Sequence, residues 1–305
     1  MPMKSLSLLA ALLALCLALA APAAAVETLD STPRTAVMSA FRPEWTALQA
    51  RLKDRRDYLV NGATYSTGTI EGKPVVLLLS GVSMVNAAMT AQLVLDRFAV
   101  ERIVFSGIAG GVDPDLSIGD VAVPSEWSEY LEAVFARKTD GGYVVPSFFS
   151  KSIASYGMIF PQPVELARGN GDIEKRQWFP VDADLLALAR KAGDATQLRD
   201  CTAENKCLKR KPRIVVGGRG VSGQAFVDNK AFRLYVRKTF GAEVLDMESA
   251  AVAHVAYLNK VPFIAFRSLS DLAGGGPEEN ELGTFFQLAA DNSAAVVVAF
   301  LRSLP

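Results

Sequence analysis

The chain has 305 residues, half of them apolar, and its 32 basic and 32 acidic side chains give a formal net charge of zero at pH 7. This balance provides no electrostatic basis for binding nucleic acid or an anionic membrane. His254 is the only histidine, which argues against histidine-dependent catalytic triads and against a metal site. We therefore expect no metal, no cofactor and no nucleic-acid partner.

The N-terminal segment, residues 1–25, has the organisation of a secretory signal peptide. Lys4 precedes an apolar run at residues 6–20, and small residues follow at Ala23 to Ala25. This order predicts export to the periplasm or the medium, with cleavage after residue 25 and no membrane contact afterwards. An uncleaved membrane anchor is the alternative. Residues 26–305 then suit one large domain or two small ones.

Short apolar runs alternate with amphipathic stretches along the rest of the chain. Runs that are apolar almost throughout are typical of strands covered on both faces. They predict strands at residues 35–40, 75–79, 102–106, 120–124, 213–217, 243–246 and 262–267.

The stretches between these strands predict five helices. Pro43 is well placed to open the first, and Asp182 can cap the third, which runs to about Lys191 with Gly193 as its stop. An apolar stripe of Trp45, Leu48 and Leu52 marks one face of the first helix. Apolar stripes mark the second helix at Met84 to Phe98, the fourth at Met247 to Leu258 and the fifth at about Thr284 to Arg302. The alternation predicts an α/β protein with helices on both faces of its sheet.

Two segments stand apart from this alternation. Residues 128–180 are rich in aromatic residues, Gly and Pro and have weak periodicity, which indicates an irregular insertion within one domain. Cys201 and Cys207 flank a short polar segment. In an oxidising compartment they predict a disulfide that pins a surface loop, and two free thiols are the alternative.

A glycine-rich turn, Ser106 to Gly111, directly follows a predicted strand. Glycines at such a position allow backbone amides to approach a ligand closely. The spacing does not fit a dinucleotide-binding fingerprint, because the residues that follow are rich in turn formers and not helical. A tight turn with no further role is the simpler interpretation.

Two acidic segments follow predicted strands, one at the start of a predicted helix and one at the start of a loop. Asp246 and Glu248 stand where a predicted helix begins, which suits either ligand binding or helix capping. Asp271 ends a buried strand and faces a run of glycines, where open α/β sheets place ligands. His254 lies in the middle of a predicted helix, where a packed structural role is expected.

These segments together resemble the nucleoside phosphorylase superfamily. The motifs SGIAGG at 106–111, SGQAF at 222–226, DMESAA at 246–251 and FRSLSD at 266–271 occur in its order and at its separations. Within it the chain is most similar to the methylthioadenosine/S-adenosylhomocysteine nucleosidases. The similarity covers most of residues 35–127 and 213–302, whereas residues 128–212 match poorly. It implies a single three-layer α/β domain with a mixed central sheet.

The resemblance also implies a reaction, the hydrolysis of a purine N-glycosidic bond. Asp271 would act as the general acid on the base, and Glu44 would activate the attacking water. Glu248 and Met247 would bind the ribose, and the negative charge of Glu248 would favour a cationic sugar. Phe226 would stack on the base.

The remaining substrate contacts implied by the resemblance are Ile108, Ala109, Val227 and Ser270. Ile108 stands where the nucleosidases usually have Ser or Thr, and Leu282 lies near the place of an aromatic ring that the family often offers to the neighbouring subunit. Independently of Leu282, the resemblance implies a homodimer. These departures leave the 5′ substituent of the nucleoside open.

Three functions compete for this site. The first is a hydrolase that acts on a methylthioadenosine-, S-adenosylhomocysteine- or adenosine-like nucleoside. The second is a phosphate-dependent phosphorylase, for which Arg267 could supply a cation near the glycine turn, although it could instead form a structural ion pair. The third is a binding or storage protein on the same fold, because a fold alone does not prove activity.

Overall fold

The computed structural model describes residues 27–276 and 279–305. The predicted signal peptide, residues 1–25, lies outside the described residues. Six helices occur in the described part: α1 (Arg42–Gln49), α2 (Met84–Arg97), α3 (Ala183–Asp194), α4 (Lys230–Phe240), α5 (Ser249–Asn259) and α6 (Leu282–Ser303).

The same residues form eighteen strands. They are β1 (Asp30–Ser39), β2 (Lys53–Val60), β3 (Ala63–Ile70), β4 (Lys73–Leu79), β5 (Phe98–Gly111), β6 (Val121–Val123), β7 (Glu126–Glu129), β8 (Ala133–Phe135), β9 (Arg137–Thr139), β10 (Gly142–Val144), β11 (Ile159–Pro161), β12 (Val164–Ala167), β13 (Ile173–Arg176), β14 (Phe179–Pro180), β15 (Ile214–Val216), β16 (Arg219–Ser222), β17 (Val244–Asp246) and β18 (Phe263–Asp271).

One twelve-stranded mixed sheet forms the centre of the molecule, in the order β14-β7-β16-β17-β5-β1-β4-β3-β2, and β18 pairs with both β5 and β6. Strands β4, β1, β5 and β18 run parallel, and every residue of β18 is buried. Helices α2 and α5 pack together, and α6 packs with α1 and α3. This is the predicted three-layer α/β domain with a mixed sheet.

The insertion at residues 128–180 carries short strands that pair locally. Strands β8 and β11, β9 and β10, and β12 and β13 form three separate antiparallel pairs. Strands β7 and β14 join the main sheet instead. The segment therefore adds small two-stranded ribbons to one end of the central sheet.

The predicted elements differ from the structure mainly at their ends. Pro43 does open α1, but the helix stops at Gln49, so Leu52 lies beyond it. The oxygen Oδ1 of Asp182 accepts hydrogen bonds from two backbone N–H groups and caps α3, as expected. Helix α5 begins at Ser249 rather than Met247, because the chain bends at Glu248 to bring that side chain to the sheet edge.

Helix α6 is long and apolar enough, by length and composition, to cross a membrane. In the structure 61% of its apolar window is buried, against β18 and β5 among others. Core helices commonly have this composition, so the helix is explained by its packing.

Candidate active site

The carboxyl ends of the parallel strands β1, β5 and β18 meet at one edge of the sheet, and a cavity of about 370 Å³ opens there. All nine residues predicted to act on or contact the substrate line it: Glu44, Ile108, Ala109, Phe226, Val227, Met247, Glu248, Ser270 and Asp271. The fold therefore brings together side chains that are up to 227 positions apart between Glu44 and Asp271.

Glu44 is fixed by the backbone at the start of α1. Its Oε2 accepts hydrogen bonds from the N–H groups of Ala40 (3.0 Å) and Phe41 (2.9 Å), and its Oε1 accepts one from Ile108 (2.9 Å). Burial raises the pKa of Glu44, while the charge of Arg267 and these three N–H groups act in the opposite direction. Oε1 keeps a second lone pair with which it can bind a water in the cavity.

Arg267, on β18, lies beneath the cavity and carries two acidic partners. Its Nε is 2.8 Å from Oδ2 of Asp246, and its Nη2 is 3.8 Å from Oε2 of Glu248. The guanidinium is fully buried and lies over the ring of Phe105. Arg267 therefore forms the structural ion pair that was one of its two predicted roles.

Asp246 and Glu248 divide the two roles that their position predicts. Asp246 Oδ1 accepts from the backbone N–H groups of Glu248 and Ser249, so it caps the turn before α5. Glu248 lines the cavity, and its Oε1 accepts from the N–H of Ser83 at 2.8 Å. Burial raises the pKa of Glu248 to about 7, opposed by Arg267 and reinforced by Asp246.

Asp271 is held at the end of β18 with its two oxygens in different environments. Oδ1 accepts from the N–H of Ala273 (2.7 Å) and from Asn280 (3.4 Å), and Oδ2 accepts from the hydroxyl of Ser270 (2.9 Å). Burial raises the pKa of Asp271, and these hydrogen bonds act against it. With Oδ1 already taken by two N–H donors, a proton on this carboxyl is best placed on Oδ2.

The glycine-rich segment is not the predicted turn, because Ser106 to Gly111 are the last residues of strand β5 and pair with β18 and β17. A Cβ at Gly107 would overlap the guanidinium of Arg267 and approach Oε1 of Glu44 to 3.0 Å. The backbone of this glycine therefore packs against a buried arginine. Ala109 and Gly110, further along β5, do line the cavity.

Sequence reasoning missed several parts of the site. Phe286 of α6 packs edge-on against Phe41 with ring centroids 6.1 Å apart, and both rings line the cavity. Asn280 hydrogen-bonds Asp271, Asp228 and the N–H of Leu282. An aromatic residue one helical turn after Leu282 could have indicated Phe286, whereas nothing in the local pattern distinguishes Asn280.

His254 and the two cysteines have roles outside the cavity. His254 stacks on Phe179 with ring centroids 4.6 Å apart, and its Nδ1 lies 2.8 Å from Glu129. Cys201 and Cys207 are joined as a disulfide, which was one of the two alternatives for these residues.

Comparison with known proteins identifies the relatives of this arrangement. The profile of the family described as "Phosphorylase superfamily" matches residues 34–302. The 5′-methylthioadenosine/S-adenosylhomocysteine nucleosidase of Geobacillus sp. (strain WCH70) is 29% identical over 273 residues, which covers 89% of this chain and 99% of that protein.

Solved structures show the same fold. The 5′-methylthioadenosine/S-adenosylhomocysteine nucleosidase from Colwellia psychrerythraea 34H, in complex with adenine, is 26% identical with a TM-score of 0.66, over 89% of this chain and 95% of that one. The corresponding protein from Neisseria meningitidis, in complex with methylthio-immucillin-A, is 24% identical with a TM-score of 0.66, over 89% and 99% of the two chains.

Proposed function

The chain belongs to the phosphorylase superfamily, and on that premise we propose that it hydrolyses the N-glycosidic bond of a purine nucleoside and releases the base. The relatives that match most of its length are named as nucleosidases acting on methylthioadenosine and S-adenosylhomocysteine. The substrate is accordingly a methylthioadenosine-, S-adenosylhomocysteine- or adenosine-like nucleoside.

One observation carries this proposal. Three buried carboxyl groups, Glu44, Glu248 and Asp271, face the same apolar cavity, and each has a different set of partners. Glu44 is bound by three backbone N–H groups, and Glu248 is near a guanidinium. Among the residues that the structure describes, Asp271 has no cation within ion-pair distance and a single backbone donor, Ala273. Carboxyl groups in such different environments can hold opposite protonation states.

The geometry assigns a step to each of them. As the bond between C1′ and the base nitrogen breaks, its electron pair moves onto the base, and Asp271 donates a proton to N7 from Oδ2. The sugar becomes cationic, and Glu248, as an anion that accepts hydrogen bonds from the ribose hydroxyls, stabilises it. A water bound at Oε1 of Glu44 then adds to C1′ and gives its proton to that carboxylate.

Water is favoured over phosphate as the nucleophile. Among the described residues that line the cavity none is Lys, Arg or His. Arg267, the one cation considered for a phosphate, is fully buried beneath Gly107 and bonded to Asp246. A phosphate dianion in this cavity would be left without a cationic partner, which is costly in an apolar site.

The test is base release followed by chromatography, with and without inorganic phosphate. We expect residues 26–305 to release adenine from methylthioadenosine without phosphate. Asp271→Asn keeps the shape of the side chain but cannot donate the proton, so kcat should fall by about 10²–10⁴. Release that requires phosphate would make the protein a phosphorylase, and an unchanged Asp271→Asn variant would remove Asp271 from the mechanism.

We propose that the protein is exported. The apolar run and small residues of positions 1–25 support this, and so does the Cys201–Cys207 disulfide, since such bonds persist mainly in oxidising compartments. Cell fractionation and N-terminal sequencing of the purified protein test it. A mature protein that begins near residue 26 in the periplasm or medium is expected, and an intact N-terminus on cytoplasmic protein would refute export.

We further propose that the protein is a homodimer. Val85 and Met89 of α2 and Leu258 of α5 are exposed, and Val82 is both exposed and part of the cavity lining. A second copy covering this apolar face would also close the cavity mouth. Sedimentation analysis should give a dimer, and Val85→Lys should shift it towards the monomer. A wild-type monomer at micromolar concentration would refute the proposal.

A further inference from the structure

Ser83, between β4 and α2, has a backbone conformation that residues with a side chain rarely adopt. Its φ is 94° and its ψ is 154°. Glycine occupies this region almost exclusively, because a Cβ atom there crowds the neighbouring backbone, so Ser83 is strained. Strain of this kind persists only where the surrounding structure enforces it, and it is concentrated at functional sites.

The turn that contains Ser83 is held by hydrogen bonds on both sides. The N–H of Ser80 donates to the last carbonyl of β1 (2.8 Å), and Nδ2 of Asn86 donates to the carbonyl of Val82 (2.7 Å). The carbonyl of Ser83 accepts the hydrogen bond that begins α2, from the N–H of Ala87 (3.0 Å). These neighbours therefore impose the conformation of Ser83.

Helix capping does not account for the strain. Ser83 stands at the N-cap position of α2, but its side chain forms no capping hydrogen bond. Asp182 occupies the same position of α3 with a φ of −63°, and its Oδ1 accepts from the N–H groups of Asp184 and Leu185. Capping thus goes with an ordinary φ, and the conformation of Ser83 brings no such contact in return.

The backbone N–H of Ser83 instead points at a carboxylate of the active site. It donates to Oε1 of Glu248 at 2.8 Å. Glu248 is 5% exposed, and among the described residues no second hydrogen-bond donor reaches its side chain. The contact also places Glu248 at the N-terminal end of α2, where the helix dipole favours an anion.

Three charged groups on other elements face Glu248. Nη2 of Arg267 on β18 lies 3.8 Å from its Oε2, and Asp246 of β17 and Glu44 of α1 are the neighbouring acids. Burial raises the pKa of Glu248 most, Arg267 lowers it, the two acids raise it, and the N–H of Ser83 lowers it. Arg267 acts beside Oε2 and Ser83 at Oε1, so each oxygen has one partner that favours the anion.

We propose that Ser83 is a positioning residue whose backbone N–H fixes the carboxylate of Glu248, as an anion, where it faces the cavity. This inference rests on the proposed function, in which that anion stabilises the cationic sugar. The strained conformation directs the N–H at Oε1. Ser83 does not line the cavity, so it acts through Glu248 and not on the substrate.

The first test removes the N–H of residue 83 and changes nothing else. Ser83→Ala is compared with the same protein carrying lactic acid in place of the alanine, so that an ester oxygen replaces the N–H. NMR of carboxyl-¹³C glutamate titrates Glu248 in the ligand-free protein, and Glu248→Gln identifies its signal. The ester should move the midpoint of this titration up by about one pH unit, and the kcat/KM profile should move with it.

The control is an ester at Leu185, whose N–H donates to Asp182 at the start of α3. It should leave the titration of Glu248 unchanged. No movement with the ester at residue 83, or equal movement with both esters, would overturn the inference. The titration needs no turnover, so a protein that releases no adenine would fail as a nucleosidase while the contact of Ser83 with Glu248 was still decided.

The second test measures the strain. Ser83→Gly keeps the N–H and should raise the midpoint of urea denaturation, because glycine adopts a φ of 94° freely. Asp182→Gly, at an N-cap that does cap its helix, should lower it. A lower midpoint for Ser83→Gly would overturn the inference, also where the ester at residue 83 prevents folding.

Discussion

At the scale of single residues, Arg267 shows how a buried charge organises the site. Its guanidinium is fully buried and forms ion pairs with two carboxylates. One belongs to Asp246, which caps the turn before α5, and the other to Glu248, which faces the cavity. Taking charges out of water is costly, and mutual pairing is what offsets that cost. The position of Glu248 therefore depends on a residue that does not itself line the cavity.

Replacing this arginine should strongly destabilise the protein. Arg267→Met leaves Asp246 and Glu248 buried without their cation, which we expect to lower the free energy of unfolding by about 3–5 kcal/mol. Denaturation by urea measures it. Arg302→Met is the matched control, because Arg302 pairs with Glu71 on the surface, where solvent screens the pair, so its loss should change the free energy of unfolding far less. Equal losses in the two variants would contradict the assignment.

The pH dependence of catalysis should reflect the ionisation of Glu248. Its pKa is raised to about 7 by burial, and only the anion can stabilise the cationic sugar, so kcat/KM should increase as the pH rises through about 7. Glu248→Gln should lower kcat/KM by about 10²–10³ and abolish this increase.

Glu243 provides a control for that profile. Burial and the charge of Asp113 also raise the pKa of Glu243 to about 7, but it does not line the cavity. Glu243→Gln should therefore keep the increase near pH 7. Its loss in both variants would mean that the profile reports the stability of the fold and not the state of the site.

At the scale of elements, the end of β5 is the most constrained segment of the site. Gly107 lies directly against the guanidinium of Arg267, β18 pairs with β5 at this residue, and the N–H of Gly107 donates to the hydroxyl of Ser293 at 3.1 Å. The strand cannot move away to admit a side chain, because its neighbours hold it by backbone hydrogen bonds. A single methyl group must therefore displace the arginine.

This predicts that Gly107→Ala is more harmful than its size suggests. We expect a loss of about 2–4 kcal/mol in stability, together with reduced activity, since overpacking here also disturbs an ion pair. Gly141→Ala, at an open position with no heavy atom within 4 Å of a Cβ, is the control. A Gly107→Ala protein with the thermal stability of the wild type would refute the close packing.

Elements that sequence reasoning missed carried signals of their own. The hairpin of β2 and β3 turns at Asn61-Gly62, both with positive φ, and an Asn-Gly pair is the strongest short-range indication of such a turn. Strand β2 is mostly exposed at the sheet edge, so it lacked the apolar pattern that marks buried strands. Helix α4 has an Asn229 cap and ends at Gly241, and both could have predicted it.

At the scale of the whole molecule, the raised carboxyl pKa values link stability to pH. Glu243 and Glu248 have pKa values of about 7 when folded, against about 4.5 for a free side chain, so the folded state holds their protons between these values. The unfolded state binds fewer protons in that interval, and stability therefore falls as the pH rises from about 4.5 to about 7.

The ligand-free protein should accordingly be more stable at pH 5.5 than at pH 8, by up to about 4 kcal/mol, since each of the two glutamates contributes roughly 2 kcal/mol. Chemical denaturation at the two pH values measures the difference. Carboxyl groups with lowered pKa values, such as Asp30 and Asp57, are ionised across this range and do not contribute to the change. Stability that increases from pH 5.5 to pH 8 would contradict the burial of these two glutamates as the dominant effect.

Much of this protein was determined by its sequence alone. Apolar periodicity indicated the alternation of strands and helices, because the side chains that pack between a helix and a sheet are apolar in any arrangement of these elements. The motifs around Ile108, Glu248 and Asp271 predicted a common site through their resemblance to one family, in which they occur in the same order and at the same separations. Nine predicted residues do line one cavity there.

Other features were decided only by the tertiary structure. The ion pairs of Arg267 and the hydrogen bonds of Asn280 join residues that are distant in the sequence. Asp246 and Glu248 are equivalent in their local pattern, and only the folded chain gives them different roles. The same holds for the cavity of about 270 Å³ between residues 199–206 and residues 283–291, where a disulfide-closed turn lies beside the first turns of α6. Local propensity acts over a few residues, whereas burial, charge pairing and cavity shape are properties of surfaces that meet only when the chain has folded.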